Sequence, residues 1–141
     1  MRNFSSGLYL LLLAIPMTGC ASTQIATNLA TNVPVSRILN SSYLVQKSGT
    51  GAVIVKRDSI WQCPGVFVRI FVDSVPVADL RSKEKVTMYL TEGEHILGGR
   101  PNGICAGDLL ETSAIVKADK PVVFRAGFSD MGEFLFTPTA L

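Results

Sequence analysis

"GVFVRIFVDSVPVADL" occupies residues 65–80 and "KVTMYLTEGEHIL" residues 85–97, and the alternation within these two stretches decides the fold. In the first, Val66, Val68, Ile70 and Val72 fall on one side of an extended chain, with Phe67 and Phe71 on the other around Arg69. Successive side chains of a strand point to opposite faces, so this is a strand that is apolar on both. In the second, Val86, Met88 and Leu90 alternate with Lys85, Thr87 and Tyr89, the pattern of a half-buried strand. Asp73 and Ser74 can bond nearby backbone in a turn, Gly93 accepts the positive φ of a tight return, and His95 opens the strand that follows. A strand apolar on both faces needs two covers. We expect it to be central, with its second face covered by residues 33–45; the competing reading is an aromatic docking face at Phe67 and Phe71.

Working outward, the same period continues in "GAVIVKR" (51–57), "EHILGG" (94–99), "LLETSAIVKA" (109–118), "PVVFRAGF" (121–128) and "EFLFTP" (133–138). "EGE", "ADKP" and "SDMGE" punctuate them as turns, and no stretch beyond residue 50 carries a helical face. An α/β design would need helical crossovers, so the expected fold is all-β, a single antiparallel β-sandwich of about seven to eight short strands.

The amino-terminal part reads differently. Arg2, the apolar core Leu8 to Ile15 and the small-residue exit at Thr18 and Gly19 are the three parts of a secretory signal. Pro16 interrupts the core well short of the roughly 20 apolar residues a membrane span needs. The segment Met17, Thr18, Gly19, Cys20 resembles the bacterial lipobox, with Met17 in place of the usual Leu. The resemblance implies removal of residues 1–19, a diacylglycerol thioether on Cys20 and an added amide-linked chain such as palmitate. Two acyl chains give stable anchoring where one gives only marginal binding. Ala21, rather than Asp, after the anchor implies the outer membrane, with the domain in the periplasm.

Removing 19 of 141 residues leaves 122, enough for one domain with a real core. Residues 20–50 are rich in Ser, Thr, Asn and Gly. We expect an acylated terminus and tether to about Asn32, then a docking segment over 33–45, before the β-sandwich domain of 51–141. Lys and Arg number 13 and Asp and Glu 11, without a run of either sign, which leaves nucleic-acid binding unsupported.

With Cys20 acylated, Cys63 and Cys105 remain, in a compartment that oxidises thiols. Both stand among turn residues, "WQCPG" and "NGICAG", so a disulfide is expected. Closing a loop of this length stabilises by about 4 kcal/mol before strain is subtracted. A metal site built from Cys63, Cys105 and His95 lacks knuckle spacing, and no metal or other cofactor is expected.

"FVRIFVDSVPVADL" followed by "KVTMYLTEGEHIL" also resembles the PEGA-type hairpin unit of small bacterial lipoproteins, on Val72, Asp73, Ser74 to Pro76, and Glu92 to His95. Ser74 stands where that unit usually has Gly, and Thr91-Glu92 replaces the Pro before Gly93. Its motifs encode turns, so it implies fold and a short strand after the turn, not an activity.

Chemistry would have to pass through His95, the only imidazole, with Ser82 or Ser129 and an acid such as Glu94. No elbow motif frames either serine, and Glu92 and Glu94 read as solvated charge at a sheet edge. "GGRPNGICAGD" (98–108) has four glycines but no helix or Lys-Ser/Thr behind them, so it is not a phosphate loop. As a long, disulfide-clamped loop it is the expected recognition surface, with Arg100, Asn102 and Asp108, beside Phe67 and Phe71. The expected function is a structural or partner-binding lipoprotein, anchored in the membrane and contacting an envelope protein or peptidoglycan. The alternative is a small periplasmic enzyme or ligand-binding protein using His95.

Overall fold

The computed structural model describes residues 22–60, 65–103 and 107–140. Two sheets face each other. One, in spatial order, runs β1 (Thr31–Asn32), β5 (Glu84–Thr91), β2 (Thr50–Arg57), β8 (Val122–Phe128) and β9 (Phe134–Thr139); the other runs β4 (Val75–Leu80), β3 (Val68–Val72), β6 (Gly93–Pro101) and β7 (Leu110–Val116). The fold is the expected all-β sandwich, and among the described residues the helical elements are two short 3-10 turns, Val35–Arg37 and Ser41–Leu44.

The alternation read from the sequence fills the space between the sheets. Val68, Ile70 and Val72 of β3 and Met88 of β5 are fully buried, against Val53 and Val55 of β2 and Leu97 of β6. Each side chain so buried contributes about 1.5–3 kcal/mol relative to exposure. Phe124 of β8 stacks on Phe136 of β9 with ring centroids 5.8 Å apart, and Phe128 meets Phe134 at 5.5 Å with the rings tilted by 60°, closing one side of the core. The β3–β4 connection is a two-residue hairpin: Val72 pairs with Val75, and Asp73 and Ser74 both take positive φ, 47° and 68°. That backbone matches the right-handed twist of the strands it joins.

Four expectations need correction. Pairing is antiparallel throughout the four-stranded sheet, but β2 pairs parallel with β8 and β1 parallel with β5. The described part of the expected tether is a strap across the outer side of the five-stranded sheet. Ser22 N–H donates to the Phe128 carbonyl, Thr23 bridges Ser59, Gln24 Nε2 donates to Thr139 Oγ1, Lys85 Nζ donates to the Thr27 carbonyl, and Thr31–Asn32 joins the sheet as β1. Residues 33–45 do not cover the second face of β3. They seal the gap between the sheets at the β4 and β5 edges, where Ile38 bridges Ala78, and Arg37 donates to the Asp79 carbonyl and clasps the Glu84 carboxylate. Burial alone would raise the Glu84 pKa, but the Arg37 contact, the Arg81 N–H and both cations outweigh it and lower it. Finally, Gly98 to Pro101 belong to β6, so Arg100 is a strand residue and the expected loop starts only at Asn102.

Candidate functional site

Chemistry-bearing residues gather in three places, and the first was not foreseen. At the carboxyl ends of β2 and β8, Lys56, Arg57 and Asp58 are all buried. Arg57 shares the inward side of β2 with Val53 and Val55. Its Nη1 donates to the carbonyls of Val66 and Leu80, and burial lowers its pKa to about 10. Lys56 and Asp58 lie on the strap side. The Asp58 carboxylate, with 0% of its side chain exposed, accepts from Nε and Nη2 of Arg125 and, at 3.4 Å, from Ser22 Oγ. Ser22 completes the latch: its Oγ accepts from the Phe128 N–H, and its single hydroxyl proton is shared between Asp58 and the Phe128 carbonyl. Gly127 makes room for it: a Cβ there would stand 2.3 Å from Asp58 Oδ2 and 2.7 Å from Ser22 Oγ. Burial pulls the Lys56 ammonium below its usual pKa, opposed by Asp58 and reinforced by Arg125. The signal available in the sequence was Arg125 inside the apolar strand "VVFRAGF" and Asp58 at the end of "GAVIVKRD". Charges at such positions are buried only with a partner, but the sequence does not name it.

The second place is the outward face of the four-stranded sheet. Arg69 stands opposite Arg100 in register, and the repulsion is relieved on both sides. Arg69 makes a two-pronged ion pair with Asp79, at 2.8 and 2.9 Å, and Arg100 lies over the Phe71 ring at 5.9 Å, within cation–π range. Phe67 and Phe71 are half-buried. The apolar exposure of this face lies further across, at Ile96, Leu109 and Ile115, the last 57% exposed, which the sequence reading did not single out. Asn102 N–H donates to the Phe67 carbonyl and Asp108 is exposed nearby in sequence, so the expected recognition residues sit at one end of this face. Cys63 and Cys105, like Cys20, lie outside the described residues. Their flanking segments do meet, through that Asn102–Phe67 bond and through Gly103, where a Cβ would stand 3.3 Å from a Val66 methyl.

The third place is His95, at the opposite end. Its Nδ1 lies 2.7 Å from Asp73 Oδ2 and its Nε2 2.8 Å from the Thr91 carbonyl oxygen, while the other Asp73 oxygen accepts from the Ile96 N–H. Nδ1 thus faces a carboxylate oxygen and Nε2 the Thr91 carbonyl, with the Thr91 hydroxyl 3.3 Å from the same nitrogen. Burial would lower the His95 pKa, but the Asp73 hydrogen bond, the Thr91 carbonyl and the Asp73 charge raise it above the usual 6.5. Asp73 is lowered in turn, its partial burial outweighed by His95 and the Ile96 N–H. A general base needs a free ring nitrogen aimed at a nucleophile. Here the hydroxyl at Nε2 is that of Thr91, and the Thr91 carbonyl lies closer to the same nitrogen, while Ser82 and Ser129 make their hydrogen bonds at the other end, to Ile60 and to Met131 and Glu133. Glu92 Oε1 accepts from the Ala118 N–H, a turn contact, and Glu94 is exposed. Among the described residues no three His, Cys, Asp or Glu are grouped to hold a metal ion.

Compared with known proteins, the chain matches no family model, no curated protein and no solved structure.

Proposed function

We propose that this chain is a lipoprotein of the bacterial envelope, acylated on Cys20 and held at the outer membrane, whose periplasmic β-sandwich binds a partner through the outward face of its four-stranded sheet. The observation that carries the reading is the apolar exposure along this face, Leu109 beside the Arg100–Phe71 pair and Ile96 and Ile115 further along, with exposed Glu111 and Ser113 between. Exposed apolar side chains interspersed with an arginine, aromatics and polar groups on an open sheet face are the composition of a protein interface more than of a catalytic cleft. The signal-like segment ending in Gly19-Cys20 supports the address, and the turn at Asp73-Ser74 fits the PEGA-type resemblance. The occupied nitrogens of His95 favour a structural role over the enzymatic alternative. Peptidoglycan and an envelope protein are the two partner classes to be told apart.

Affinity capture of the anchored protein after cross-linking in its own cells, run beside sedimentation with purified peptidoglycan, tests this. Ile115→Glu and Arg100→Glu should abolish the captured species with melting unchanged. Retention of the partner by both variants removes this face from the reading. If His95→Ala abolishes the cellular role while circular dichroism and melting stay unchanged, the enzyme reading replaces it.

A further inference from the structure

Ser22 is the first described residue, and it is fixed. Its backbone and hydroxyl bind Phe128, and its hydroxyl reaches the Asp58–Arg125 pair. Two peptide units separate it from Cys20, so the Cys20 Cα lies within about 7 Å of the Ser22 Cα even in a fully extended chain. A flexible tether over residues 20–32 would instead span roughly 20 Å on average. The strands of the sandwich are about 25 Å long, so Cys20 belongs to one end of it and is remote from the other.

That end carries the β8–β9 turn at residues 129–133 and the β4–β5 turn at residues 81–83. At the tip of the first, Met131 is 89% exposed, more than any other large apolar side chain among the described residues. The turn is ordered by Ser129, whose hydroxyl accepts from the Met131 and Glu133 N–H groups. We propose that this end of the sandwich is itself a membrane-contact surface, seated on the lipid bilayer that holds the Cys20 anchor, with Met131 at the lipid interface. The proposal rests on the reading of Cys20 as acylated. Its occupant is a lipid surface because the connection to Ser22 leaves no length for the domain to stand off. Charge does not drive the contact, because exposed Arg81, Lys83 and Arg100 are offset there by Asp108, Asp130 and Glu133. Seating is therefore independent of anionic lipid, unlike that of a polybasic segment.

The test uses the full lipidated protein in phosphatidylcholine vesicles, with and without phosphatidylglycerol, containing a lipid with a shallow nitroxide quencher. A fluorophore is placed on Met131→Cys or, at the far end, on Asp119→Cys, with labelled wild type giving the background from native cysteines. Both positions are exposed, so folding is not at stake. Quenching should be several-fold stronger at 131 than at 119 and equal in the two lipid mixtures, and a twelve-residue Gly-Ser insertion between Ala21 and Ser22 should bring 131 down to the level of 119. Weak, equal quenching at both sites overturns the seating, as does 131 shielded by cross-linking to a second copy. Mass spectrometry of the Cys20 peptide reads the anchor separately. An acyl mass with weak quenching defeats the seating alone, and no acyl mass defeats the anchor reading and the seating with it.

Discussion

The two ends of the sandwich each hold a carboxylate against a basic side chain, and they differ in what surrounds the pair. At the strap end, Asp58 has no exposed side-chain surface and is shared between Arg125 and Ser22. At the far end, Asp73 keeps 48% of its side chain in solvent while it holds His95. The same pairing has opposite consequences. Water screens and replaces the exposed contact, whereas the buried one leaves an uncompensated charge if either partner is lost. The strap end is thus committed to one arrangement, and the far end can exchange its contacts with solvent at little cost.

The largest expected break is Arg125→Ala, which leaves Asp58 buried and unpaired and should cost about 3–5 kcal/mol in urea unfolding. Gly127→Ala attacks the same latch by displacing Asp58 and Ser22 and should fall in the same range. If either variant melts like the wild type, the strap is not latched as described. Next comes Cys63→Ser, expected to cost about 2–4 kcal/mol if Cys63 and Cys105 are bridged. Intact mass measured without reductant checks the bridge, and two free thiols in the purified domain contradict it.

The far end should yield least. His95→Ala should cost no more than about 1 kcal/mol, as expected for a pair open to solvent. Its pH dependence follows from the two shifts. The raised His95 pKa makes its contribution complete below pH 6.5 and lost as pH rises through the higher folded value; the lowered Asp73 pKa makes its own complete above pH 3.8 and lost as pH falls through the lower folded value. The pair therefore supports the fold most between those two limits. Wild type and His95→Ala should differ most in melting near pH 5 and converge above neutrality, and a difference that grows with pH contradicts the assignment.

These contrasts also mark what could be read from the sequence. The expected strand at 51–57 became Thr50–Arg57, that at 85–91 became Glu84–Thr91 and that at 121–128 became Val122–Phe128, because burial between two sheets enforces a period of two. The period carries no direction, so the parallel β2–β8 pairing was hidden, its partners lying more than sixty residues apart. The strap was hidden for a different reason. Ser, Thr, Gln and Asn in residues 22–32 have the composition of a tether, but the Ser22 hydroxyl, the Gln24 amide and the Thr27 carbonyl find partners on the sheet. Of the expected recognition residues, Arg100 and Phe71 do meet, while the exposure of Ile96 and Ile115 further along the face follows from β6 and β7 having one side turned away from the other sheet, which the alternation alone does not reveal.

Anchoring through Cys20 is the claim on which address, seating and the meaning of the latch all rest, and metabolic labelling with palmitate tests it most directly. Label should enter the wild type and be absent from Cys20→Ala expressed at the same level; equal label in both, or none in either, would contradict the account.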